Sequence, residues 1–293
     1  MKGSSGQNVT VLLTGGTGFV GRQVLRHLLR MGARVRMVVR GGRDARPDLP
    51  RAVECIETAD LFAEEAQWWA DACAGVDIIV HVAWYAEPGE YLHSPKNLHC
   101  LSGTLELARG ALQAGVRRFV GVGTCFEYDL KACVLSVDTP LRPASVYAAA
   151  KASVYLTLSA WLPRAGMELA WCRLFYLHGE GEDSRRLIPH IRNCLEAGQP
   201  VKLGDGRFIR DYMDVAQAGA GIARIALSDR CGAFNICSGE PVTIRQLAER
   251  IADEYGQRQL LQFNAVPPRE GDPFCVVGIP NMPDDLADEE DGR

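Results

Sequence analysis

Short apolar runs alternate along the chain with longer stretches in which Leu, Val and Ala recur at helical spacing. The runs VTVLL (9–13), RVRMVV (34–39), VECIE (53–57), VDIIVHVA (76–83), RRFVGVG (117–123) and ELAWCRL (168–174) predict buried strands. The stretches FVGRQVLRHLLRMG (19–32) and LSGTLELARGALQAGV (101–116) predict amphipathic helices that end near glycine. Repeated β-α alternation predicts an α/β fold with a parallel sheet covered by helices. Beyond residue 175 the rhythm loosens, and helix-like LIPHIRNCLEAG (187–198) and TIRQLAERIADEYG (243–256) are separated by loops bearing Pro and Gly. The expected organisation is a polar start over 1–8, a main domain over 9–174, a smaller lobe over 175–280 interleaved with the end of that domain, and an acidic tail over 281–293.

Composition narrows the partners. The 293 residues carry a net charge of −4, which offers no broad basic field to nucleic acid or to an anionic membrane surface. No apolar run approaches the roughly 20 residues needed to cross a bilayer, and the first residues lack a secretory hydrophobic stretch, so a cytoplasmic protein is expected. Ten cysteines lie scattered from Cys55 to Cys275 without a CxxC pair or zinc-finger spacing. They predict reduced, mostly buried thiols and no metal site.

The first candidate chemistry is the turn Thr14-Gly15-Gly16-Thr17-Gly18-Phe19-Val20-Gly21, which directly follows the first strand and opens the first helix. Gly15, Gly18 and Gly21 permit a tight turn and close backbone approach, while the helix start at Phe19 and Val20 offers free N–H groups and a positive dipole end to a pyrophosphate. A ligand-free glycine turn is the plain alternative; the position at the first strand-helix junction favours a dinucleotide. Where NAD-selective proteins place an acidic residue on the ribose 2'-hydroxyl, the second strand ends in Arg40. A guanidinium there suits a 2'-phosphate, with Arg22 as a second positive charge, so NADP is preferred and NAD is the alternative. Asp60, with Leu61 beside it, follows the third strand and is a candidate contact to the adenine.

Tyr147 and Lys151 are four residues apart, so in a helix both side chains emerge on one face. A neighbouring ammonium favours a phenolate, which predicts a proton-transfer pair. Thr124 closes the fifth strand at the carboxyl edge, where α/β proteins hold ligands, and its hydroxyl is a candidate to orient a substrate carbonyl.

Together these motifs, over roughly residues 9–272, resemble the extended short-chain dehydrogenases/reductases, the NAD-dependent epimerase/dehydratase family. The resemblance implies a Rossmann-type doubly wound sheet with a smaller C-terminal substrate-binding lobe. It implies Ala83 beside the nicotinamide, Thr124, Tyr147 and Lys151 as catalytic residues, and Lys151 on the cofactor ribose. It further implies a nucleotide-sugar substrate whose diphosphate is clamped by Arg210 and Arg269, and a homodimer. Ion pairs with Asp211 and Asp272 are the alternative for those arginines. Cys100 stands where many relatives carry asparagine, leaving Asn97 one turn earlier as a substitute, and His178 replaces a usual tyrosine. Sugar dehydratases of this family follow the active-site Thr with Asp-Glu, whereas here Cys125 and Phe126 follow Thr124. Reduction of a nucleotide-linked 4-ketosugar by NADPH is therefore expected. A nucleotide-sugar epimerase with bound NAD, or a catalytically silent cofactor-sensing protein, are the alternatives.

Overall fold

The computed structural model describes residues 9–41, 49–267 and 271–282. In chain order its strands begin with β1 (Thr10–Thr14), β2 (Arg34–Arg40), β3 (Glu54–Thr58), β4 (Ile78–His81), β5 (Arg118–Thr124), β6 (Val134–Leu135) and β7 (Glu168–Leu174). They continue with β8 (Tyr176–His178), β9 (Val201–Lys202), β10 (Ile209–Asp214), β11 (Gly232–Ile236), β12 (Pro241–Thr243), β13 (Leu261–Gln262) and β14 (Cys275–Gly278). The helices are α1 (Phe19–Arg30), α2 (Ala66–Ala72), α3 (Lys96–Gln113), α4 (Val146–Trp161), α5 (Leu187–Glu196), α6 (Val215–Leu227) and α7 (Ile244–Glu254).

Seven strands form one parallel sheet in the order β11-β7-β5-β4-β1-β2-β3. Every residue of β1, β4 and β5 is buried, as expected for central strands covered on both faces. One face is closed by α1 and α6 through Val24, Leu28, Ile222 and Ile225. The other is closed by α2, α3 and α4 through Trp69, Leu107, Val154 and Leu158. The helix-covered parallel sheet is therefore the one the apolar runs predict, and its doubly wound form the one the resemblance implies, although α3 begins five residues before the predicted stretch. Order reverses between β1 and β4, the place in such sheets where a crevice opens at the carboxyl ends.

Residues beyond 175 contribute to both parts of the molecule: β11 extends the large sheet at its edge and α6 covers it. A separate apolar cluster joins α5 and α7 through Ile191, Leu195, Ala248 and Ile251. Between the two parts runs a smaller sheet in the order β12-β10-β14-β6, with β8 also paired to β10. Its underside packs Phe175, Cys237 and Val276 against Cys125 and Tyr128, so the turn after β5 is sealed from below.

The expectation of uniformly reduced thiols is corrected here. Cys133 and Cys275 form a disulfide, because the parallel pairing of β6 with β14 brings two positions 142 residues apart to a Cα separation of 4.7 Å. The other eight cysteines are free, five of them buried. Among the described residues no helix is long and apolar enough to cross a membrane. Closing so long a loop restricts the unfolded chain, an effect worth about 2–4 kcal/mol. Reductant should therefore lower the urea midpoint of the wild-type protein and leave that of a Cys133→Ser variant unchanged.

Candidate active site

The glycine turn is shaped by how closely chain passes chain. Gly15 has φ of +72°, and a Cβ there would lie 2.6 Å from the Ala83 nitrogen. At Gly21 a Cβ would lie 2.0 Å from the Gly15 carbonyl oxygen. Gly18 is the extended residue that starts α1 and gives the helix no side-chain cap. The first-turn N–H groups consequently keep their donor capacity, and the helix dipole adds a positive end. An uncapped twelve-residue helix approached by a glycine turn fits a pyrophosphate.

A buried relay fixes the neighbouring segment. The Ala83 N–H donates to the Thr14 hydroxyl (3.3 Å), which stands 2.8 Å from His81 Nδ1; His81 Nε2 stands 3.0 Å from the Thr104 hydroxyl, which donates to the Cys100 carbonyl (2.7 Å). The direction of that last bond makes Nε2 the protonated nitrogen and Nδ1 an acceptor. Burial lowers His81 to about 3, with the Lys151 ammonium acting in the same direction, so the ring is neutral. His81 is thus a brace between β1, β4 and α3 and holds Ala83 against the turn.

Arg40 is exposed at the end of β2, and among the described residues no carboxylate lies within ion-pair distance of it. Asp60 pairs with His99 at 2.8 Å and accepts from the Phe62 N–H at 3.0 Å. Leu61 is half-buried and packs on the α2–α4 side. Arg22 is oriented otherwise than expected: it donates to the Thr17 carbonyl and lies against Gly181 in the turn after β8, so it faces the lobe rather than the end of β2.

On α4, capped by the Ser145 hydroxyl on Ala148 N–H, Tyr147 and Lys151 do share a face. The Thr124 side chain, at the end of β5, stands near enough to the Tyr147 phenol to pull it downward, so these two candidates meet. Lys151 is buried, donates to the Val122 carbonyl at 2.5 Å and sits 3.9 Å from the centroid of the Trp84 ring. Burial outweighs charge at the phenol here. Burial holds Tyr147 well above its ordinary value, the neighbouring acidic groups Tyr91, Glu127 and Cys125 push it the same way, and the Thr124 side chain pulls it down. In this arrangement Tyr147 is a protonated donor.

Sequence reasoning missed the group that organises this corner. Glu127 is fully buried; its carboxylate accepts from the Thr124 N–H (2.9 Å), Trp171 Nε1 (3.1 Å) and Arg173 Nε (2.7 Å). Arg173, also buried, donates on to the Tyr128 hydroxyl at 3.0 Å. The signal was present as the capping pattern Thr124-x-x-Glu127. Cys125 is buried, and desolvation raises its thiol to about 12.

On the lobe side Arg210 is buried and bonded to Asp272 at 2.8 Å and to the carbonyls of Ile209 and Phe274. Of the two readings of this arginine, the structure shows the ion pair, with Asp272. Asp211 instead receives the N–H groups of Ser238, Gly239 and Gly278. Arg269 lies outside the described residues. Asn97 is buried and bonds Trp84, Tyr91 and Ser94 rather than Lys151. His178 lies in β8, paired with Asp214 of β10.

Burial lowers Lys151 from 10.5 to about 7, partly opposed by Glu127. Between those values the unfolded chain binds a proton at this site that the folded one does not, so stability from this group rises with pH, by at most about 1.4 kcal/mol per unit. Below 7 the penalty is constant. The unfolding free energy of wild type should therefore climb relative to Lys151→Met between pH 7 and 9, as read by urea denaturation at each pH.

Known proteins share this architecture. The profile of the NAD dependent epimerase/dehydratase family matches residues 11–237. A dTDP-6-deoxy-L-talose 4-dehydrogenase (NAD(+)) from Aggregatibacter actinomycetemcomitans is 23% identical over 92% of this chain and 99% of its own. A dTDP-glucose 4,6-dehydratase from Streptomyces griseus is 30% identical over 84% of this chain and 78% of its own. The crystal structure of a dTDP-glucose 4,6-dehydratase from Streptomyces venezuelae with NAD and TYD bound superposes with a TM-score of 0.78, at 26% identity, covering 93% of this chain and 88% of that one. With the glycine turn, the Thr124–Tyr147 contact and Lys151 in place, the chain belongs to the NAD-dependent epimerase/dehydratase family and is an enzyme of the short-chain dehydrogenase/reductase type.

Proposed function

We propose that the protein is an oxidoreductase acting at C4 of a nucleotide-linked hexose, working chiefly as a 4-ketosugar reductase. The observation that carries this reading is the chemistry left next to Thr124. Glu127 is the first carboxylate after it, and all its binding capacity goes to Thr124 N–H, Trp171 and Arg173. The Cys125 thiol, at about 12, stays protonated. An elimination needs an acid and a base beside the sugar ring, and this turn supplies neither. The named activity of the Aggregatibacter relative, a 4-dehydrogenase, is the reverse of the same redox step.

The bound nicotinamide cofactor supplies the hydride. Residues that fit it are Gly15, Gly18, Phe19, Val20 and Gly21 at the pyrophosphate, Arg40, Asp60 and Leu61 at the adenosine end, and Ala83 and Lys151 at the nicotinamide ribose. Tyr147 gives its phenolic proton to the oxygen that becomes the hydroxyl, and Thr124 donates a hydrogen bond to the same oxygen. Lys151 would hold the cofactor ribose, and a new proton from solvent restores the Tyr147 phenol after product leaves. Arg210 would meet the diphosphate only by exchanging Asp272 for phosphate oxygens, with Arg269 as the second proposed contact. Arg40 forms no ion pair among the described residues, although its charge joins the His99 bond in lowering the Asp60 carboxyl against burial. An arginine at this strand end supports NADP(H), while the Aggregatibacter relative and the Streptomyces venezuelae structure are named with NAD.

The test is oxidation of NADPH and of NADH across a panel of nucleotide-linked 4-ketosugars. Turnover of at least one sugar is expected; a flat response, with cofactor retained on the purified protein and epimer formed, would assign epimerisation instead. Tyr147→Phe should reduce kcat by about 10²–10⁴-fold and leave cofactor Kd within about threefold. Arg40→Ala should cut kcat/KM for NADPH by about tenfold or more and barely change it for NADH, measured as the ratio of the two.

A further inference from the structure

The segment between β4 and α3 places aromatic side chains around the proton-transfer pair. Trp84 presents its ring to the Lys151 ammonium at 3.9 Å from the centroid. Trp84 and Tyr91 both stand edge-on to Tyr147, with ring centroids 6.4 and 4.9 Å away, and the Leu92 carbonyl accepts from the Tyr147 N–H. A single fully buried amide, Asn97 in the first turn of α3, holds this wall in place. Its Oδ1 accepts from Trp84 Nε1 at 2.8 Å, and its Nδ2 donates to the carbonyls of Tyr91 at 2.6 Å and Ser94 at 2.9 Å. An indole N–H can only donate and a carbonyl can only accept, so the three bonds fix one orientation of the amide.

We infer that Asn97 and Trp84 form a positioning unit for Lys151: Asn97 holds the indole face over the ammonium, and the indole stabilises the charged, correctly placed lysine. The inference rests on the assignment of Lys151 and Tyr147 to the active site made above. An ammonium has three N–H donors, and the bond to the Val122 carbonyl uses one. A π face at 3.9 Å offers the remaining charge an attraction that survives desolvation. Other groups facing the ammonium are Glu127 after β5 and Cys100 on α3, which favour its charge, and neutral His81 on β4. The asparagine that many relatives place three residues before Gly103-Thr104 is Cys100 here. Asn97 does not stand in for it at Lys151; it works on the lysine through the indole.

The experiment follows the Cε resonance of [13Cε]lysine in the cofactor-free protein against pH. The chain has five lysines, and Lys151 is identified by the signal lost in Lys151→Met. Trp84→Leu should lower the Lys151 midpoint by about 0.5–1 pH unit, the range expected for loss of a buried cation–π contact. Trp84→Phe, which keeps an aromatic face, should restore most of it. Asn97→Leu should shift it in the same direction as Trp84→Leu, because the indole is then released. If Trp84→Leu does not fold, Asn97→Leu and Trp84→Phe answer the same question. An unchanged midpoint in Trp84→Leu, or a shift in Asn97→Leu alone, overturns the proposal. Full turnover by Tyr147→Phe would overturn the catalytic assignment instead, and the lysine titration does not depend on turnover.

Discussion

A carboxylate taken fully out of water governs the carboxyl edge of the sheet. Glu127 and Arg173 are both buried, and an ion pair in that setting is stable only so far as each partner's remaining bonding capacity is met nearby. The carboxylate is fully engaged, whereas on the guanidinium Nε and Nη1 are bonded and Nη2 has no hydrogen-bond partner, the group lying instead against the Tyr128 and Tyr155 rings. Gly121 and Gly123 in β5 carry no side chain because the Trp171 indole of β7 fills that space, with a Cβ at either position falling 2.2 Å from it. The indole in turn reaches the carboxylate. Tyr128 passes the connection to Asn235 on β11, whose amide bonds the Leu135 and Ile279 carbonyls. One charge pair thereby ties the turn that presents Thr124 to the large sheet, to its edge strand and to the smaller sheet beyond.

Much of this was legible in the chain. The apolar runs gave the six strands within a residue or two at most boundaries, since a strand buried on both faces leaves little ambiguity in a βαβ rhythm. The turn from Thr14 to Gly21 at the start of α1 and the one-face spacing of Tyr147 and Lys151 on α4 were both readable. What could not be read came from contacts between distant residues. The Cys133–Cys275 bond joins positions 142 residues apart, and only the β6–β14 pairing brings them together. The role of Asn97 depends on the path of the segment from Trp84 to Ser94, which no periodicity encodes.

Spacing also says which side chains share a face and not which way each turns. Lys151 emerges beside Tyr147 as predicted, yet its ammonium goes to the Val122 carbonyl and the Trp84 ring. Desolvation then outweighs charge at the phenol. Arg210 shows the same limit: its motif offers a phosphate clamp or half of an ion pair, and only the fold brings Asp272, 62 residues away in sequence, to the guanidinium.

The fit of Gly15 to Ala83 and of Gly21 to Gly15 carries an evolutionary consequence. Both glycines are required by backbone passing backbone, before any dinucleotide arrives. A descendant that abandoned its chemistry but kept this sheet would still be held to them, and so would lose Tyr147 or Lys151 to drift long before it lost its fingerprint. In lineages built this way, a preserved glycine signature reports how the first strand and helix are joined, and says less than is usually assumed about whether the enzyme still works.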